Sequence, residues 1–373
     1  MNYKYFMPTR VVMGNDCIVN NSNLFQSLGK KALIVTGTRS AKSNGSESDV
    51  KKALEAEGIE YVVFDKVMSN PTISCVYEGA RIAKENNIDF IIPIGGGSPM
   101  DAGKAIALLA AQTIDEENLF SGIYEDKVLP IAIVPTTAGT GSEVTQYAIL
   151  TNDKAETKTS IATDLIFPKV AFLDPKYMTQ LGVETTINTA IDALSHAVEG
   201  MLSVKASTIS DALAVESIRM IMEVTPIMLE ALESNNQSKF DLKTREILLH
   251  ASLIAGMVIA QTGTTAVHAM GYSLTYFKDI DHGRANGLLL GDYLRLVEEQ
   301  KPELGKRILN AMNMTGSKDF KDLMNKMFGK KEVITLEEIS KFSGLAIQTR
   351  NIGNCIVKPT EEDIVQMFKD SFY

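Results

Sequence analysis

The sequence predicts two domains: a parallel-sheet α/β domain over residues 1–181 and an all-helical domain over 182–373. Three observations lead there. Short unbroken apolar runs alternate with helix-like segments through the first half, the pattern of a parallel sheet covered on both faces. The alternation stops near residue 180, beyond which only helical spacing recurs. A length of 373 residues suits about two domains.

The first strand is "KALIVT" (31–36), ending at Gly37 before a loop rich in Gly, Ser and Lys. Ser46 and Asp49 stand three apart ahead of a helical stretch, the spacing of a capping box. "YVVFDKV" (61–67) is the second strand and "SCVYEGARIAKENN" the second helix. "FIIPI" (90–94), "DAGKAIALLAAQ" and "LPIAIVP" (129–135) continue as strand, helix and strand. In the second half "ALAVESIRMIMEVTPIMLEALE", "REILLHASLIAGMVIAQ" and "LLLGDYLRLVEE" carry helical spacing. No repeat, low-complexity segment or long linker separates the halves, and a cleft between two such domains is a favoured place for a ligand.

Composition narrows the function. The chain is 45% hydrophobic and carries a net charge of −9, which suits a large core and argues against nucleic acid and anionic membranes as partners. Cys17, Cys75 and Cys355 are odd in number and form no CxxC pair, as expected of reduced thiols in the cytoplasm. "MNYKYFMPTR" lacks the apolar run of a signal peptide, and "SLIAGMVIA" is too short to span a bilayer, so a soluble cytoplasmic protein is expected.

Two glycine-rich segments follow strands. In "FIIPIGGGSPMDAGKA", Gly95, Gly96 and Gly97 permit a tight turn and close ligand approach, Ser98 can cap the next helix and Pro99 suits its first position. The free N–H groups at such a helix start suit a phosphate. Asp101 and Lys104 in its first turns read equally well as a solvated pair. "PTTAGTGSEVTQ" (135–146) gathers Thr136, Thr137, Thr140, Ser142 and Thr145 around Gly139 and Gly141. Both segments lie at carboxyl ends of strands, where open α/β sheets bind ligands, and together they point to a nucleotide or dinucleotide in a Rossmann-like domain.

The chain has four histidines. Asp192 and His196, four apart in "TAIDALSHAVEG", share a helix face. An acid and an imidazole in an apolar helix are costly unless paired or metal-bound. His268 lies in a small-residue helical run, and His282 follows a break at "KDID". One oxygen and three nitrogens suit Fe(II) or Zn(II) rather than Mg or Ca; a hydrogen-bonded Asp–His pair is the other reading. His250 reads as a packed helix residue.

Taken together, these stretches resemble the iron-containing (group III) alcohol dehydrogenases. The likeness runs in order through "FMPTRVVMG", "NPT" (70–72), "GGGSPMDAGKA", "PTTAGTGSEVT", "FLDPKYM" (172–178), "DALSHAVEG" and "HGRANG". It implies a metal- and NAD(P)-dependent oxidoreductase, a homodimer, acting on a small primary alcohol, diol or aldehyde. It implies one divalent metal, Fe2+ before Zn2+, on Asp192, His196, His268 and His282. It places the cofactor pyrophosphate at Gly96, Gly97 and Ser98, with Asn70, Asp101, Thr136, Thr137, Thr140, Ser142 and Lys158 at other cofactor-contacting positions.

Two departures bear on the chemistry. Many NAD-dependent members have an Asp after the first strand; here Gly37 opens "GTRSAK", with Thr38, Arg39, Ser40 and Lys42 free to meet a 2′-phosphate, so NADP(H) is expected over NAD(H). Many members carry a second histidine four residues after the third ligand, where this chain has Tyr272, a hydrogen-bond donor or a packing residue. Glycerol-phosphate dehydrogenases and dehydroquinate-synthase-like enzymes share the architecture, but their phosphorylated substrates need cations, and the nearest here is Arg284. A non-catalytic nucleotide-binding relative should have lost ligands, and all four positions are filled.

Overall fold

The computed structural model describes residues 3–373. They form two compact units, Met7–Leu181 and Gly182–Tyr373. The described residues up to Phe6 group with the second unit, not the first as a single boundary at 181 would have it. The reason is a pair of hydrogen bonds: Phe6 N–H donates to Gln261 Oε1 (2.9 Å), and Gln261 Nε2 donates to the Phe6 carbonyl (2.7 Å).

The first unit runs β1 (Arg10–Met13), α1 (Cys17–Asn20), β2 (Lys31–Thr36), α2 (Ser40–Ser43), α3 (Ser46–Ala56), β3 (Glu60–Phe64), α4 (Ile73–Glu85), β4 (Phe90–Gly95), α5 (Gly97–Ala111), β5 (Ala132–Pro135), β6 (Tyr147–Asn152), β7 (Thr157–Ala162) and β8 (Val170–Leu173). Six strands make one parallel sheet in the order β1-β8-β5-β4-β2-β3. Each of the four expected strands lies in it. Strands β1 and β8, "RVVM" and "VAFL", are cut short by Gly14 and by Lys169 and Asp174, whereas the equally short β5 sits in the longer apolar run "LPIAIVP". The antiparallel β6–β7 hairpin was also hidden, because its polar residues give no clean alternation. The chain steps from β2 outward to β3, then returns to β4 on the other side of β2, so the winding reverses between β2 and β4. In open parallel sheets ligands bind at the carboxyl ends of such a strand pair. Gly37 follows β2, and Gly96 and Gly97 follow β4.

Two expected caps are absent. Gly45, at φ 86, precedes α3, and Ser46 sits inside the first turn, donating to Asn44 Oδ1 at 2.7 Å. Asp49 is occupied by Tyr177 Oη (3.0 Å) and Lys176 Nζ (2.8 Å). Helix α5 begins at Gly97 with no side-chain cap, so Ser98 and Pro99 lie within its first turn. Ser98 Oγ instead accepts the Asn70 N–H (3.1 Å).

The second unit runs α6 (Val183–Met201), α7 (Thr208–Ser234), α8 (Leu242–Thr262), α9 (Ala266–Lys278), α10 (His282–Gln300), α11 (Pro302–Ala311), α12 (Ser317–Phe328), α13 (Leu336–Ile347), α14 (Arg350–Gly353) and α15 (Glu361–Phe372), with no strand among its described residues. No single helix among the described residues is long and apolar enough to cross a membrane. Helix α6 is central: of its 19 residues only Glu184, Thr185 and Thr189 escape burial. A helix apolar all round belongs in a core. His250 on α8 is exposed, not packed, because α8 turns that edge to solvent near Glu216 of α7.

Glycine sets the approach of α10 to α6. A Cβ at Gly283 would stand 1.8 Å from the Asn188 carbonyl oxygen, and one at Gly287 2.6 Å from Ile191 Cγ2. This near-contact of backbones brings the first turns of α10 onto the Asp192 face of α6. Replacing a helical glycine with alanine ordinarily stabilises by roughly 0.5–1 kcal/mol. Gly283→Ala should do the reverse and cost at least ~2 kcal/mol through overpacking against backbone. Urea unfolding reads the difference, and a variant as stable as wild type would contradict the close approach.

Candidate metal centre and cofactor segments

Asp192 and His196 project from α6, His268 from the first turn of α9, and His282 opens α10. Asp281 ends the break before His282 and caps α10, its Oδ1 accepting the Gly283 N–H at 3.2 Å. One ligand atom each from Asp192, His196 and His268 lies within 4.8 Å of the others, and all three residues are buried. The separations are 3.0 Å between the two Nε2 atoms, and 4.0 and 3.9 Å from Asp192 Oδ1 to His196 and His268 Nε2. Donors about 2.0–2.2 Å from one ion stand at most ~4.4 Å apart, so the three fit a single cation. Two facing imidazole nitrogens cannot both carry hydrogens at such a distance, whereas one cation satisfies both lone pairs. The His282 ring lies alongside, its centroid 5.0 Å from that of His268.

Burial by itself would raise the Asp192 carboxyl. His196, His282, His268 and the Asn286 amide outweigh it and hold the group below its usual range. Asn286 is fully buried on α10 and donates from Nδ2 to Asp192 Oδ1 (3.1 Å). Thr275 Oγ1 lies 3.3 Å from His282 Nδ1. Tyr272 stacks on the His282 ring, with planes 5° apart and centroids at 5.7 Å.

The glycine-rich segments of the first unit interlock. Gly95 takes φ 151, and a Cβ there would stand 2.5 Å from Pro99 Cγ. A Cβ on Gly97 would meet Thr140 Cγ2 at 2.8 Å. Asp101 Oδ1 accepts the Ser142 hydroxyl (2.7 Å), and Oδ2 accepts the Ile149 N–H (3.1 Å). Lys104 is not solvated: it is fully buried and donates to Ser142 Oγ (2.8 Å), Thr145 O (2.9 Å) and Tyr147 O (3.0 Å). Burial pushes its ammonium down to about 8, against the pull of Asp101 and Glu143. Asn70 adopts φ 56, and its carbonyl accepts Thr151 Oγ1 (3.0 Å). Lys158 on β7 is close enough to favour the charged form of Asp101. Thr136 is buried and Thr137 half-buried. In the first loop, Arg39 and Ser40 are exposed, while Lys42 pairs with Asp65 at 2.6 Å.

Family models cover both halves of the chain: residues 8–175 match the iron-containing alcohol dehydrogenases, and residues 186–372 match the C-terminal region of the same family. The chain belongs to the iron-containing alcohol dehydrogenase family. It is 37% identical over 307 residues to the 1,3-propanediol dehydrogenase of Citrobacter freundii, spanning 81% of this chain and 75% of that one. It is 30% identical over 373 residues to the NAD-dependent methanol dehydrogenase of Bacillus methanolicus, spanning 99% and 93%. The crystal structure of an iron-containing alcohol dehydrogenase from Thermotoga maritima matches at TM-score 0.90 and 36% identity, covering 100% of this chain and 99% of its own. The enzyme is thus an alcohol dehydrogenase of the iron type, an oxidoreductase whose family implies a metal and a nicotinamide cofactor.

Sequence reasoning passed over several polar residues at these segments. Asn286 and Glu199 lie inside "HGRANG" and "DALSHAVEG", yet nothing local marks them. Glu143 in "GTGSEVT" is buried with Oε1 lacking a hydrogen-bond partner, and burial pushes its carboxyl up to about 7. The folded enzyme therefore holds that proton up to about pH 7, while the unfolded chain loses it near 4.5. The resulting stability is complete below pH 4.5 and is lost as pH rises through 7. Relative to Glu143→Gln, wild type should lose about 3 kcal/mol across that window, read by urea unfolding at its two ends. A pH-independent difference would contradict the assignment.

Proposed function

We propose that the enzyme transfers hydride reversibly between a small primary alcohol or diol and the nicotinamide of NADP(H). One divalent ion, Fe2+ in preference to Zn2+, is held by Asp192, His196, His268 and His282. The observation that carries this reading is the convergence of three donor atoms within 4.8 Å, all buried in apolar helices. The ion supplies Lewis acidity toward the substrate oxygen. The chain's own residues do the rest. Asp192 offsets the positive charge, Asn286 steadies that carboxylate, and Tyr272 holds the plane of the His282 ring. Gly96, Gly97 and Ser98 take the pyrophosphate, and Asp101 and Ser142 tie that turn to the neighbouring cofactor segment. No phosphorylated substrate is proposed, because Arg284 is spent on Glu332 (2.7 Å) and the carbonyls of Phe328 (2.8 Å) and Lys330 (2.7 Å).

NADP(H) rests on this chain's own first loop, since the Bacillus methanolicus relative is named as NAD-dependent. Gly37 puts no carboxylate after β2, and Arg39 is exposed and in no ion pair among the described residues. Arg39 and Ser40 carry the reading, because Lys42 must first leave Asp65. A cytoplasmic homodimer completes the proposal; the three free cysteines suit a reducing compartment, and dimerisation follows from the family resemblance.

Two substitutions test these assignments. His282→Ala should lose its bound metal and at least ~100-fold in turnover, the upper end of what even an outer partner of a metal ligand costs. Elemental analysis beside a 340 nm assay reads both, and wild-type metal content with wild-type turnover refutes the ligand. Gly37→Asp should lower the NADPH-to-NADH ratio of kcat/KM at least ~10-fold, about 1.4 kcal/mol. The new Cβ meets only the Val67 carbonyl, at 3.2 Å, so the fold can accommodate it. An unchanged ratio removes the case for NADP(H).

A further inference from the structure

Glu199 stands seven residues beyond Asp192 on α6 and is fully buried. Its Oε1 accepts four hydrogen bonds from the start of α9: Thr265 N–H (2.8 Å), Thr265 Oγ (2.7 Å), Val267 N–H (3.1 Å) and His268 N–H (3.3 Å). Its Oε2 bonds His268 Nδ1. Helix α9 has no side-chain cap from its own Thr265, so this carboxylate on a neighbouring helix serves instead. Four donors on one oxygen leave it no freedom to turn. The other oxygen is thereby fixed on the imidazole.

An ionised carboxylate only accepts hydrogen bonds. His268 Nδ1 must then carry the ring hydrogen, and Nε2 keeps its lone pair. That Nε2 lies 3.0 Å from His196 Nε2 and 3.9 Å from Asp192 Oδ1. His282 Nδ1, by contrast, meets a neutral hydroxyl, Thr275 Oγ1, at 3.3 Å.

We propose that Glu199 is a positioning residue for the metal: it locks His268 in the Nδ1–H tautomer and aims the Nε2 lone pair at the ion. Its second negative charge, added to that of Asp192, balances a divalent cation among neutral imidazoles. Outer partners of this type orient a ligand and raise its basicity. The proposal rests on the four-ligand site above.

A purely structural role, capping α9, is the competing account, and one substitution separates the two. In Glu199→Gln the amide oxygen must face the four α9 donors, because the NH2 group would oppose them. The NH2 is then turned to His268 Nδ1, which has to accept. The ring hydrogen moves to Nε2 and points where the ion should be. The cap survives while the ligand is disarmed.

The experiment measures Zn2+ affinity of the full-length, metal-stripped protein by competition with a chromophoric chelator, together with the thermal midpoint of the metal-free protein. Glu199→Gln should weaken Zn2+ binding roughly 10–100-fold with the metal-free midpoint nearly unchanged. Should that variant not fold, Glu199→Asp is assayed the same way. Its shorter carboxylate stays with the α9 donors and draws back from Nδ1, so a weakening of at least ~10-fold is expected. A lowered midpoint with wild-type Zn2+ affinity would make Glu199 a cap alone and overturn the proposal. A wild-type chain that takes up no Zn2+ would instead overturn the metal site itself, and this inference with it.

Discussion

The helical unit is organised around one electrostatic constraint: a carboxylate and two imidazoles, with a half-buried third beside them, lie in an apolar interior. An isolated Asp192 there would have to take up a proton or cost several kcal/mol. It does neither, because three rings and the Asn286 amide hold it ionised. Every one of those groups comes from a different turn or helix, so the constraint reaches well beyond α6. Helix α9 must start beside Glu199, the break at Asp279–Asp281 must deliver His282, and α10 must run close enough to present Asn286. A divalent cation of the kind the family implies would answer the same constraint, since one ion could meet the carboxylate and the two facing nitrogens together.

The α/β unit meets a milder form of the problem. Lys104 carries an ammonium into a fully buried position and finds oxygen on Ser142, Thr145 and Tyr147. Those acceptors belong to the segment after β5 and the start of β6, while Lys104 belongs to α5. The lysine therefore clamps two stretches whose glycines would otherwise leave them loose. One buried cation thus makes rigid a pair of segments that glycine alone would leave free.

Legibility followed the range of the physical signal. Apolar runs and their alternation with helices are local, so β2 to β5 and the change to an all-helical second half could be read directly. So could the shared face of Asp192 and His196, which is a matter of helical spacing. A four-residue strand is legible only inside a longer apolar run, as β5 is in "LPIAIVP"; β1 and β8 are flanked by glycine or charge and carry too little pattern. Caps failed where a residue found a distant partner: Ser98 turns to Asn70, and Asp49 turns to Lys176 and Tyr177. His250 misled because an apolar neighbourhood in sequence does not say which edge of α8 faces solvent. Glu199 and Asn286 had no signal of their own, for each is defined by what another helix brings to it.

The glycines of α9 and α10 show why close packing and chemistry are one requirement here. Gly271, Gly283 and Gly287 sit inside helices, where each costs roughly 1 kcal/mol against alanine. Local preference alone would replace all three. Yet a Cβ at Gly271 would stand 2.3 Å from Asn286 Oδ1, and those at Gly283 and Gly287 would strike α6. Without the glycines the helices separate, and Asn286 and His282 move off Asp192. Functional sites are among the places where local propensity is overruled. These three fall within a turn or two of His268 and His282, whereas Gly79 in α4 and Gly103 in α5 make room only for Ile106 and Pro93.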